Sequence, residues 1–300
     1  MKQGFTQWLL GLGLVAFPLG CLVLTFYLAY HPPQPMEETV AERQEPPVVP
    51  RPAEVKQLPD FAAIGHIPDR KRAFFEMLVP MVEWRNHQLE QLREDVIDMR
   101  SVLSAGKTLS SRQRAQLERL RIHFRVDEDN YPNASDALDE LHKRVDILPL
   151  EMVLAQGAAE SGWGTSRFAQ EANNLFGQWC YRKGCGLVPN ARSDDMSHEV
   201  QKFATVNEAV STYFRNINTN RAYREVREIR AQQRAQDMAP TGMAMVQGLI
   251  RYSSRGQAYI EELKELIRYN ELEQVHEAWL TPEEPEVPAK AEAESQTEAG

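Results

Sequence analysis

Three hundred residues, 42% hydrophobic and 26% charged, with 16 Gly, 18 Pro and 3 Cys, are enough for one or two domains with a real core. They exclude a collagen-like repeat, a disulfide-dense scaffold and a polytopic membrane protein. The formal net charge of −9 belongs to the tails: the last twenty residues hold six Glu against one Lys, and residues 31–59 hold five Glu against two Arg and one Lys. Residues 60–280 are therefore close to neutral, and a basic nucleic-acid footprint is excluded.

Taken in chain order, residues 1–7 form a short amino terminus that contains Lys2. The 23 residues from Trp8 to Tyr30 carry no charge. As a helix this run would be roughly 34 Å long, enough to cross a bilayer core of about 30 Å. Lys2 precedes it and Glu37 and Glu38 follow, which predicts a cytoplasmic N-terminus and an inner-membrane anchor with the rest of the chain in the periplasm. Two alternatives stay open. A cleaved signal peptide would be expected to end in a small-x-small site, whereas this run ends in Ala29-Tyr30-His31-Pro32. Pro18-Leu19-Gly20-Cys21 faintly matches a lipoprotein site. All three export the rest of the chain. Eight of the 18 prolines fall in residues 31–59, predicting an extended, solvated linker. The Glu/Ala/Pro stretch of residues 281–300 reads as an acidic disordered tail.

Between these tails the periodicity is helical. Phe74, Phe75, Leu78, Met81, Val82, Leu89, Leu92 and Val96 recur at threes and fours, with Pro80 expected to kink or split the run. Ser111 to Phe124 and Ala137 to Val145 are amphipathic. Pro149 opens the next helix and Gly162 and Gly164 close it. Thr205-Val206-Asn207-Glu208 is a capping box, and later helices are expected near Tyr223 to Ala235, Gly242 to Ile250 and Gly256 to Trp279. Strand signal is confined to residues 175–203. The expected fold is mainly α with one small β-hairpin. Residues 60–144 form a helical extension ahead of a catalytic unit at 145–280.

The chemistry concentrates in the helix opened by Pro149. Its stripe of Val153, Gln156, Gly157 and Glu160 places Glu160 among apolar and small residues. It also lies in the last turn, where the helix dipole disfavours an anion. Both effects push a carboxyl pKa upward, as an acid that protonates a glycosidic oxygen requires. Gly157, costly in mid-helix by about 1 kcal/mol, points to a close approach by a ligand or another backbone. The plainer alternative is an exposed Glu at a helix end.

Ala158-Ala159-Glu160-Ser161-Gly162-Trp163-Gly164-Thr165-Ser166, followed by Asn173-Asn174-Leu175-Phe176-Gly177, resembles the signature of bacterial N-acetylglucosaminidases of glycoside hydrolase family 73. Cys180, Cys185, Phe203, the helix from Thr205 to Asn220 and Tyr252-Ser253-Ser254-Arg255-Gly256 are similar to its Bax-type branch. The resemblance runs from about Val145 to Tyr259, weakens over Arg70 to Val82 and is absent from the tails. It implies a lysozyme-like α fold that hydrolyses the β-1,4 bond after N-acetylglucosamine in peptidoglycan glycan strands, with Glu160 as general acid. A matching tyrosine, Tyr252, is implied in activity beside it.

The resemblance also implies a second acid on the hairpin after the asparagine motif, where Asp194, Asp195 and Glu199 stand. An inverting enzyme needs that carboxylate roughly 6.5–9.5 Å from the acid, a retaining one at about 5 Å unless the substrate's acetamido group takes its place. Glu199, close before Phe203, is the favoured base, although Asp194 to Glu199 match no family motif; three solvated charges is the alternative. Sugar faces need aromatic platforms, for which Trp163, Phe176, Trp179, Tyr252 and Tyr259 are candidates. For Trp163, packing behind Glu160 is the favoured reading over a platform; for Tyr252, a core tyrosine is the alternative. Asn173 and Asn174 bond either the turn or an acetamido group. In an exported chain Cys180 and Cys185 form a disulfide. A zinc site lacks two further ligands, and no motif implies a metal or cofactor. A lytic transglycosylase and a non-catalytic wall-binding module are the rival functions.

Overall fold

The computed structural model describes residues 49–189 and 198–275. The expected membrane span at 8–30, the linker as far as residue 48, Asp194 and Asp195, and everything after residue 275 lie outside the described residues. Among the described residues no helix is long and apolar enough to cross a membrane.

The chain opens with a 3₁₀ turn at Phe61–Ala63, then α1 at Ile67–Ser104, α2 at Ser111–Phe124, α3 at Ala134–Arg144, α4 at Leu150–Ser161 and α5 at Arg167–Ala172. Three short strands follow, β1 at Trp179–Cys180, β2 at Gly186–Leu187 and β3 at Glu199–Gln201. The rest is α6 at Val206–Thr219, a 3₁₀ turn at Arg221–Tyr223, α7 at Arg224–Ala235, α8 at Gly242–Met245 running on as 3₁₀ to Leu249, and α9 at Gln257–Tyr269. The mainly helical reading holds.

Helix α4 lies at the centre, against α1, α8 and α9. Met152 to Ala158 are all buried, as expected of a helix apolar on every side. Its pairing with α1 runs through Gly157. A Cβ there would stand 3.1 Å from Leu78 Cδ2 and 3.5 Å from the Phe176 ring, so the close approach expected at this glycine is made by core side chains.

Several expectations need correcting. Helix α1 runs unbroken through Pro80. Pro80 and Glu76 are both exposed, so the ring faces outward and the carbonyl that loses its amide partner lies on the solvent side of the helix. The strand region is a three-stranded antiparallel sheet in the order β1-β3-β2, not a lone hairpin. Trp179 pairs with Val200, and Leu187 pairs with Val200 from the other side. The helix expected from Gly256 to Trp279 is interrupted after Tyr269, because Glu271 turns left-handed at φ 51°; residues 276–279 lie outside the described residues. The Leu272 amide then bonds the Ile267 carbonyl at 3.0 Å, a reversal that returns Leu272 to the core.

The linker also ends sooner than proline content predicts. Residues 53–59 are strapped onto the domain. The Val206 amide donates to Val55 O at 2.8 Å, and Asn207 accepts from the Val55 amide at 2.9 Å and donates to Ala53 O at 3.1 Å. Asn173 and Gln170 donate to the carbonyls of Lys56 and Pro59 at 2.9 and 3.0 Å. Leu58 is buried beside them. Proline removes donors, not acceptors, so a proline-rich segment can still be held through its carbonyls.

Candidate active site

Glu160 occupies the last turn of α4, half-buried. Burial pushes its carboxyl above the usual carboxylate range; a hydrogen bond from Tyr259 and the nearby Arg255 act against this, and Glu262 adds to it. The acid is held from two sides. Gly177, at φ +59°, comes so close that a Cβ would sit 3.1 Å from Glu160 Oε2, a position that demands glycine on both conformational and steric grounds.

The other side is a relay of hydrogen bonds. The Tyr213 hydroxyl donates to Gln156 Oε1 in a short bond. Gln156 Nε2 donates to the Tyr259 hydroxyl at 3.1 Å, and Tyr259 bonds the Glu160 carboxyl. All three relay residues are buried. Burial and, second, the Glu160 charge raise the Tyr259 pKa strongly, so its phenol stays protonated and can only donate toward the acid. Gln156 stood on the predicted stripe, but Tyr213 and Gly177 were not singled out. The available signals were a polar glutamine in an apolar helix and a tyrosine on the apolar face of α6.

Tyr252 donates to the Phe176 carbonyl at 2.6 Å and lies parallel to Tyr259 with ring centroids 5.8 Å apart. Its pKa is raised by burial first, then by Tyr259, Tyr213 and Glu160. Tyr223 approaches Tyr252 at 5.6 Å, and Glu160 and Tyr181 both raise its pKa after burial does. Glu160, Tyr181, Tyr223, Tyr252 and Tyr259 thus share one neighbourhood.

Three expected substrate contacts are spent on the fold. Asn174 is buried and uses its whole amide. Nδ2 donates to Gln178 O and Gln201 O at 2.8 and 2.9 Å, and Oδ1 accepts from the amides of Phe176 and Gln178 at 3.3 and 3.0 Å. Phe176 is buried and stacks on Tyr213 with centroids 4.1 Å apart. Trp163, held left-handed at φ 58°, packs edge-on against Phe74 and Phe75 with Lys71 over its ring. Among the candidates Trp179 stays open to solvent, 53% exposed, with one face stacked on His198 at 4.1 Å. Tyr181, unforeseen from sequence, is 74% exposed beside it.

Glu199 is 5% exposed. Its two oxygens accept from the Gly184 and Gly186 amides at 2.9 and 2.8 Å, on either side of Cys185, where the Cys180–Cys185 disulfide closes its loop. Sulfurs and carboxylate lie within 4.8 Å of one another, yet the sulfurs are bonded together and the carboxylate is occupied by amides, so this donor set does not fit a metal.

A helical domain that half-buries a carboxylic acid at the end of its central helix, bonded by a buried tyrosine, is built like a glycosidase. The sequence comparisons agree. The profile described as mannosyl-glycoprotein endo-beta-N-acetylglucosaminidase, the glucosaminidase family, matches residues 135–272. Protein bax of Escherichia coli (strain K12) is 34% identical over 207 residues, 69% of this chain and 72% of that protein. No solved structure matches. The chain belongs to the glucosaminidase family, in its Bax-type branch, and its class of action is glycan hydrolysis.

Proposed function

We propose that the chain hydrolyses the β-1,4 bond after N-acetylglucosamine in peptidoglycan, with Glu160 as general acid. The observation that carries this reading is the raised pKa of Glu160 together with the Tyr213–Gln156–Tyr259 relay aimed at it. Burial favours the protonated form of the carboxyl. Once the proton has passed to the glycosidic oxygen, the Tyr259 hydrogen bond stabilises the carboxylate left behind. Trp179 and Tyr181 offer apolar faces to sugar rings, and Tyr252 fixes the Phe176–Gly177 turn against the acid. Glu199 is read as the residue that shapes the disulfide loop, since acting as a base would require it to give up two amide bonds. The water is then activated by another hairpin carboxylate or by the substrate's own acetamido group.

Glu160→Gln should keep the fold and glycan binding and lose nearly all turnover, because an amide cannot release a proton. Mass spectrometry of digested strands reads the chemistry: reducing N-acetylglucosamine ends support hydrolysis at this bond. Anhydro-muramic ends, or full activity in the variant, would overturn it. We further propose that residues 8–30 tether the domain to the inner membrane with its catalytic unit outside the cytoplasm. Fractionation should then find the full-length mass in the membrane, whereas a soluble periplasmic form lacking the first thirty residues would mean cleavage.

A further inference from the structure

Away from the Glu160 site, a second concavity of about 750 Å³ opens between the α2–α3 connection, the end of α6 and the start of α7. Its wall carries six cations, Arg125, Lys143, Arg144, Arg221, Arg224 and Arg227, against three carboxylates, Asp127, Glu140 and Glu228. Glu140 pairs with Arg144 at 2.6 Å and Glu228 with Arg224 at 3.2 Å. Asp127 is turned onto Asn130, accepting from its backbone and side-chain amides at 2.9 and 2.8 Å. A surplus of three positive charges remains.

Its lining includes more than a solvated basic face. Arg227 is 4% exposed, and its hydrogen bonds to protein both leave from Nη1, to Ile217 O at 2.8 Å and Asn220 O at 2.9 Å. Burial, and then neighbouring Arg144, lower its pKa to about 10. Thr219 is also 4% exposed, and its hydroxyl has no hydrogen-bond partner. A buried donor left unsatisfied costs about 1–3 kcal/mol. Thr219 Oγ1 is such a donor, in a residue that lines the positive cavity, and on the same wall Arg227 Nε and Nη2 make no hydrogen bond to protein; what both residues lack is acceptor oxygen.

We propose that this cavity binds an oxyanion, a phosphate or carboxylate group, that accepts hydrogen bonds from Thr219 Oγ1 and the unbonded edge of Arg227, with Arg125, Lys143 and Arg221 balancing its charge. A planar guanidinium edge suits either group as a two-pronged donor. Arg221 opens the 3₁₀ turn that ends at Tyr223, the residue facing Tyr252, so the cavity and the candidate active site share one turn.

The test titrates the full-length protein with inorganic phosphate and, separately, with an acetylated glutamyl-alanine dipeptide, at low and high salt, by calorimetry. Saturable, salt-sensitive binding is expected with at least one probe. Saturation by phosphate identifies a phosphate ligand, and saturation by the dipeptide a carboxylate one. The exposed pair Lys143→Gln with Arg221→Gln should weaken it about tenfold, and Thr219→Val, which keeps the side-chain shape, about fivefold. Arg227 is left intact because its Nη1 bonds hold the α6 terminus. Failure of both probes to saturate, or unchanged affinity in both variants, overturns the proposal. Binding is read without turnover, so the result is independent of any activity of Glu160.

Discussion

At the scale of single residues, the balance on Glu160 is between burial, which holds its proton on, and Tyr259, which favours the carboxylate. Tyr259→Phe removes only the second influence. The Glu160 pKa should rise further, and the alkaline limb of the pH–rate profile should move to higher pH. Maximal turnover should fall about tenfold to a hundredfold as the departing carboxylate loses its donor. A profile that stays in place would show that the phenol does not bond the acid during turnover. The acid itself was legible in the sequence, because a Glu within a small, apolar stripe at a helix end is a local pattern. The relay was not: Gln156 and Tyr259 stand 103 positions apart, and nothing in either neighbourhood announces the other. Asn174 misled for the same reason, since its partner at Gln201 lies 27 residues on.

At the scale of elements, the cap at Thr205 was readable, whereas the reciprocal box that Ser110 and Gln113 close on α2 was not foreseen. Thr205 accepts from the Glu208 amide at 3.1 Å, although Glu208 returns to the Ala204 amide at 2.9 Å, one residue upstream of the expected partner. The strands were harder because each spans two or three residues, too short for alternation to register. Their geometry depends on Glu199 and the disulfide, which makes the loop testable. Glu199→Gln turns an amide group toward one of the two glycine N–H groups, so the Gly184 and Gly186 amides should exchange faster. Turnover should fall, but the acidic limb of the pH–rate profile should remain. A catalytic base would take that limb with it. Cys180→Ala with Cys185→Ala should loosen the same amides while costing about 2 kcal/mol or less globally, because the sequence separation is only five. Loss of the acidic limb in Glu199→Gln would restore it as the base.

At the scale of the whole molecule, one buried carboxylate joins helices distant in sequence. Asp146 is 2% exposed and faces Arg93 of α1 at 3.2 Å, Arg230 of α7 at 3.8 Å and Arg234 of α7 at 2.9 Å. Burial alone would raise its pKa, but the three arginines outweigh it and hold it below the usual value. A depressed folded-state pKa means that the stabilisation is present above the unfolded carboxyl's pKa, near 4, and is lost as pH falls through the lower folded value. Asp146→Asn leaves the arginines facing one another and should cost about 3–5 kcal/mol at neutral pH. Denaturant titration across pH should show the gap between variant and parent closing as the parent's carboxyl protonates. A gap that persists unchanged in acid would assign the loss to packing.

The strap of residues 53–59 gives the molecule a direction in which it is mechanically sensitive. Its carbonyls are gripped by Gln170 and Asn173, and the left-handed turn at Asn173 leads within four residues to Gly177, the backbone pressed against Glu160. Tension applied to the chain ahead of residue 49 would load those bonds, to α6 first and to α5 and Asn173 next, before it reached α1 along the chain. They would open one at a time, starting at Ala53 and Val55 and ending at Pro59. The strap therefore couples load on the amino-terminal side of the domain to the turn that seats Glu160, ahead of any unfolding of α1.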